Sequence, residues 1–188
     1  MMTNTGCRLA TGIIGALLVA APAAAQNAAP QTKAASVQVD TGRLRGPRQP
    51  IFFRHDLHAG QYQMPCLYCH YSVAAAPEPG IPTVQTCIGC HQFVPGSTPA
   101  NQAQIRKIRE AWSGRQAPQW TRVHALPAFV HFPHMRHIKV LGTNSCTTCH
   151  GEVAGMAQVY QVSTLKMGWC IRCHVERKVT RDCTVCHY

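Results

Sequence analysis

One pentapeptide pattern, Cys-x-x-Cys-His, occurs five times in this chain: CLYCH at 66–70, CIGCH at 87–91, CTTCH at 146–150, CIRCH at 170–174 and CTVCH at 183–187. Ten of the eleven cysteines are committed to it. With 11 histidines in 188 residues, a histidine falls at a given position by chance about 0.06 of the time, and five coincidences have a probability on the order of one in a million. The histidine therefore belongs to the motif. A disulfide framework has no use for it, and zinc sites draw on two separated ligand pairs rather than on a His directly after the second Cys.

Covalent attachment of c-type haem uses all three residues. In one helical turn residues i, i+3 and i+4 share a face, so two thiols reach the two vinyl groups while the imidazole turns under the iron. The sequence thus predicts five c-type haems. Their thioether links fall to Cys66 and Cys69, Cys87 and Cys90, Cys146 and Cys149, Cys170 and Cys173, and Cys183 and Cys186. Their proximal iron ligands are His70, His91, His150, His174 and His187.

Export supports this reading. Residues 1–25 carry one charge, Arg8, then an apolar run from Leu9 to Ala20 and a small-residue ending Ala23-Ala24-Ala25. That is a signal peptide cleaved before Gln26; the alternative, an uncleaved anchor, is opposed by Pro22 and by an apolar stretch shorter than the roughly 20 residues a spanning helix needs. Cys7 precedes the apolar run and is discarded with the leader. The mature chain is then expected in the periplasm, with membrane association only through a complex or an uncleaved leader. In such an oxidising compartment ten thiols would form disulfides unless something else claimed them. Aromatic residues make up only 7% of the chain, and five haems leave about 33 residues for each, too few to wrap them separately. The haems are expected to stack and to form the core, with the haem-free chain largely unfolded.

Six histidines remain: His55, His58, His124, His131, His134 and His137. The segments FRHDLHAGQYQMPCLYCH from Phe53 and FPHMRHIKVLGTNSCTTCH from Phe132 share Phe-x-His-x-x-His followed by the haem motif, and a further motif follows each. The fold expected is mostly irregular with short α-helices, a c3/c7-like multihaem cytochrome c built from a duplicated two-haem unit plus one terminal haem. Two His at i and i+3 lie too close together to serve one iron from opposite sides, so His55, His58, His134 and His137 are expected as distal ligands of four different haems. Candidates for the fifth are His124, His131, Met64 and Met167, of which His124 is chosen. With both axial positions filled, such irons suit electron transfer rather than substrate activation.

The chain divides into a leader at 1–25, a flexible lead-in at 26–48, haem unit one at 49–93, a connector at 94–130 and haem unit two at 131–188. Within the connector, IRKIREAW at 105–112 reads as one short helix with a solvated basic face. Without the leader 17 basic residues stand against seven acidic ones, a net +10. Haem propionates absorb much of that excess, and nucleic-acid binding is rejected.

The words QPIFFRHDLHAG, CLYCH, IPTVQTCIGCH, WTRVHALPAFVHFPHMRHI, CTTCHG, VYQVSTLKMGWCIRCH and DCTVCHY together resemble the pentahaem cytochrome c subunit of alternative complex III. The likeness spans 49–188, includes the non-haem words RVHALP and KMGWC, and departs from the family at His131, where a Tyr is expected. It implies electrons arriving from quinol through an iron–sulfur subunit and leaving to a small c-type cytochrome, and it adds support for His124 as a ligand. The competing class is a multihaem reductase acting on nitrite or hydroxylamine, which requires an open iron, often marked by Lys in place of the motif His. All five motifs end in His, so no catalytic residue is assigned. A haem-based sensor would need an output domain for which the chain has no room.

Overall fold

The structure, a computed structural model, describes residues 44–188. The leader and the lead-in as far as residue 43 lie outside the described residues. Among the described residues the protein is helical and irregular, with no strand, and no helix is long and apolar enough to cross a membrane.

Each Cys-x-x-Cys-His motif sits on a helix. Three are single turns: α1 (Cys66–Cys69), α5 (Cys146–His150) and α7 (Cys183–Cys186). The other two close longer helices, α2 (Val84–His91) and α6 (Met167–Glu176). A Pro or an extended residue stands before α1, α2, α6 and α7, so the chain enters extended and turns once to bring i, i+3 and i+4 together.

The longest element, α3 (Pro99–Ser113), contains the short helix expected at 105–112 and extends it at both ends. Thr98 caps it by accepting a hydrogen bond from the Asn101 amide at 3.1 Å, Pro99 occupies the first turn, and Gly114 ends it. Its buried Ile105 and Ile108 lie at i and i+3, and Ile108 packs with Ile51 and Ile88 beneath Val84, Cys87 and Trp120. Its basic face is not simply solvated. Lys107 donates to the Pro50 carbonyl at 3.0 Å, and Arg109 donates to the His91 carbonyl at 2.8 Å. These contacts fasten α3 across the haem motif at 87–91.

The two repeats exchange contacts. The π-helical turn Asp56–Gln61, which carries His58, packs on the 3-10 turn Val153–Gly155 that follows the motif of the other repeat. In return α4 (His134–Leu141) packs on the 3-10 turn Tyr71–Ala74 behind the motif of the first. The Asp56 amide donates to the Met156 carbonyl at 3.1 Å, and the His134 amide donates to the Pro77 carbonyl at 3.0 Å. Each repeat thus holds the histidine-bearing turn of the other.

The described end of the lead-in is also tied down. Gln158 is buried and donates to the carbonyls of Arg45 and Gly46, and the Arg45 guanidinium lies 4.1 Å from the centre of the Tyr160 ring. Elsewhere the polypeptide buries little of itself. The buried apolar side chains among the described residues are Ile51, Ile88, Ile105, Ile108 and Met156, and none is fully enclosed. Such a chain does not reach the packing density of a protein interior by itself.

A Cβ added at Gly60 would collide with the Ala154 carbonyl across the exchanged contact, whereas one at Gly80 meets nothing within 4 Å. Gly60→Ala is therefore expected to destabilise the holoprotein by about 1–3 kcal/mol, and Gly80→Ala to leave it close to wild type, as measured by thermal unfolding.

Candidate functional site

All ten described cysteines are free. Burial pushes the Cys69, Cys87, Cys146, Cys149 and Cys170 thiols up, which favours the protonated form. Neighbouring thiols add to the shift, and they disclose which motifs adjoin. Cys69 faces Cys90, and Cys87 faces Cys69, which joins the first motif to the second. Cys146 lies near Cys66, joining the third to the first. Cys149 faces Cys173 and Cys170, and Cys170 faces Cys186, which continues the series to the fourth and fifth. These proximities associate the first motif with the second and the third, the third with the fourth, and the fourth with the fifth.

The histidines form four facing pairs, each drawn from one repeat turn and one motif. Ring centroids lie 6.5 Å apart for His55 and His70, 6.1 Å for His58 and His91, 6.4 Å for His134 and His150, and 6.2 Å for His137 and His174. Two metal–imidazole bonds of about 2 Å each, with about 1.2 Å from each nitrogen to its ring centre, place two rings across one metal about 6.4 Å apart. All four separations match this distance, which is too long for ring contact and right for an iron between them. Among the described residues no three His, Cys, Asp or Glu side chains converge on a bare-ion site. Paired rings beside two free thiols fit a haem, whose porphyrin supplies the other four iron ligands.

A phenylalanine wedges each histidine pair apart. The Phe53 ring stands edge-on to His55 (4.8 Å, 86°) and stacks on His58 (4.4 Å, 28°). Phe132 stands edge-on to His134 (4.7 Å, 86°) and stacks on His137 (4.0 Å, 28°). The sequence showed these phenylalanines as the first residue of the repeated word, with nothing to reveal their role. Arg54, between the two, is paired with Asp56, its Nε donating to Oδ1 at 2.9 Å.

Backbone carbonyls fix the tautomer of five rings. Nδ1 donates to the Arg54 carbonyl from His58 (2.9 Å), to Val94 from His91 (3.0 Å), to Pro133 from His137 (3.1 Å), to Thr180 from His174 (2.6 Å) and to Phe129 from His187 (3.0 Å). Nε2 is then left with a lone pair for metal. The buried Nδ1 atoms of His55 and His134 have no partner. Burial, with smaller contributions from His70 and His58, lowers the His55 pKa to about 4; burial, then His124 and His70, lowers that of His150 to about 4. Burial also lowers His58, His70, His124 and His134. Neutral imidazole, the form a metal requires, is thereby favoured.

The fifth motif differs. His187 faces the Phe129 ring at 5.7 Å, and among the described residues no histidine lies across from it as in the four pairs. The structure places His124, chosen from the sequence for this position, at right angles to His150 with centroids 4.4 Å apart, and its buried Nε2 has no partner. His131 stacks on Tyr188 at 4.2 Å. Met167 is exposed, on the first turn of α6.

No protein-family model matches the chain. It is similar to the multihaem cytochrome c subunit of menaquinone reductase from Nitratidesulfovibrio vulgaris, 29% identical over an alignment 164 positions long, with 74% of this chain and 76% of that protein covered.

Phe53→Leu removes the ring face from His58 and the edge from His55. The expected result is an unchanged holoprotein mass, altered EPR g values for the two haem signals of the first repeat, and unaltered ones for the second. Loss of about 0.5–1.5 kcal/mol of stability from the aromatic pairs accompanies it.

Proposed function

We propose that this chain is the electron-transfer subunit of a quinone-linked respiratory complex, a multihaem c-type cytochrome. The four histidine pairs at 6.1–6.5 Å carry this reading, because a pair of rings spanning one iron leaves no position for a substrate at those four sites. The likeness to a cytochrome c subunit supports it from a separate direction. When bound, c-type haem supplies a reversible one-electron couple at each site.

The finer reading assigns five haems, one per motif, on the ten cysteines and five motif histidines. His55 pairs with His70, His58 with His91, His134 with His150 and His137 with His174. His187 holds the fifth iron by itself among the histidines, and His124 is not assigned to it. In this reading the haems follow the thiol proximities in one row, from the second motif through the first, third and fourth to the fifth. A row of this kind joins two redox partners. The partners proposed are a quinol-oxidising iron–sulfur assembly of the alternative complex III type as donor and a small c-type cytochrome as acceptor, on the periplasmic side of the membrane.

The similar Nitratidesulfovibrio protein belongs to a complex named for reducing menaquinone, which favours a second reading with electrons running the opposite way. The same residues serve both directions. Isolated complex supplied with a quinol is expected to reduce the cytochrome within one turnover, and oxidised c-type cytochrome to reoxidise it. Reduction only by reduced cytochrome c, with quinone as the final acceptor, would establish the second reading. Turnover of nitrite or hydroxylamine by the subunit alone would overturn both.

The intact mass of the exported protein is expected to show five covalent haems, and replacing both Cys183 and Cys186 by Ala to remove one of them. Fewer than five in the unaltered protein would refute the count.

A further inference from the structure

The four histidine pairs are not alike, and the difference is repeated in both halves of the chain. His55 and His70 are nearly coplanar in orientation, 9° apart, and their counterparts His134 and His150 are 16° apart. His58 and His91 cross at 68°, and His137 and His174 at 47°. The hydrogen bonds divide the same way. In each crossed pair both Nδ1 atoms donate to backbone carbonyls. In each parallel pair the repeat histidine has a buried Nδ1 without a hydrogen-bond partner, although the Pro77 carbonyl, which accepts from the His134 amide, also lies close enough to that ring to raise its pKa, and the ring of the motif histidine makes no hydrogen bond among the described residues.

Local structure explains why the division recurs. The second histidine of each repeat has the carbonyl four residues back, Arg54 or Pro133, in reach of its ring, while the first is held edge-on by the phenylalanine. The motifs at 87–91 and 170–174 lie toward the end of the longer helices α2 and α6, where the chain turns back and offers Val94 or Thr180. Those at 66–70 and 146–150 end on short helices followed by a 3-10 turn, which offers no carbonyl.

An imidazole that donates from Nδ1 is a more basic ligand at Nε2 and stabilises the ferric state. A buried ligand without that bond leaves the ferric charge less compensated. Crossing of the rings acts the other way through π overlap alone, whereas in each crossed pair two Nδ1–H to carbonyl hydrogen bonds raise the basicity of both ligands of one iron. We infer that these contacts divide the four irons into two electronic classes, and that the two held by His55/His70 and His134/His150 are reduced before the two held by His58/His91 and His137/His174. The early pair adjoin each other, since Cys66 meets Cys146 and His70 lies beside His150. The first electrons to enter therefore settle at the junction of the two repeats, with a harder-to-reduce iron on either side.

This rests on the haem reading, and an EPR-monitored redox titration of the wild-type holoprotein, its haem count first verified by intact mass, separates the two. Near-parallel imidazoles give rhombic low-spin signals and crossed ones give large-gmax features. As the potential is lowered, two rhombic signals are expected to vanish before two large-gmax features. His55→Met is expected to remove one rhombic signal, and His58→Met one large-gmax feature; if either variant fails to load haem, the wild-type titration decides alone. Large-gmax features vanishing first, or four signals of a single type, would overturn the inference while leaving a full haem count intact. A deficient haem count would instead overturn the reading beneath it.

Discussion

Two imidazoles held about one iron's width apart are the constraint on which the rest of this structure depends. The two rings of a pair come from different segments: His55 is 15 residues before His70, but His58 is 33 before His91 and His137 is 37 before His174. An iron held by such a pair would close a loop that few apolar contacts could close by themselves. A polypeptide with five buried apolar side chains among its described residues has no other means of offsetting the conformational entropy of ordering so much irregular chain. Four such closures, together with thioether links to the motif turns, would replace the core that a chain of this length ordinarily builds from its own side chains.

The reciprocal packing of the repeats gives the closures their rigidity. The His58 turn rests on Val153–Gly155 and α4 rests on Tyr71–Ala74, so displacement of either ligand-bearing turn disturbs the motif region of the other half. Phe53 and Phe132 then set ring orientation, each by one edge and one face. Without an orienting contact a histidine side chain rotates about two bonds, and ring planes that differ by 9° in one pair and 68° in the next would not be maintained. Electron transfer benefits from ligands that stay in place, because reorganisation on each change of charge is then small.

Much of the site is legible in the sequence because haem attachment is local chemistry. Three residues of one helical turn form it, so Cys66, Cys69 and His70 can be named without any knowledge of the fold. The duplicated Phe-x-His-x-x-His is equally plain as a repeat. What spacing cannot provide is which ring faces which, since that follows from how α3 closes over α2 and from contacts exchanged between distant turns. The connector helix shows the same limit: IRKIREAW has helical periodicity, but the tethering of Lys107 to Pro50 and of Arg109 to His91 depends on where the helix docks. His124 is the sharpest divergence. Sequence reading chooses it for the last iron from four candidates, with support from the family resemblance, whereas the structure places its ring against His150. The acceptor carbonyls of Val94, Thr180 and Phe129 leave no sequence trace, because a backbone oxygen is common to every residue.

Near-infrared magnetic circular dichroism of the fully oxidised holoprotein tests the central claim most directly, since its charge-transfer bands report the axial ligands of ferric haem. Four irons with bis-histidine bands are predicted. Two or more irons showing histidine–methionine or high-spin bands would contradict the pairing of His55, His58, His134 and His137 with the motif histidines and the account built on it.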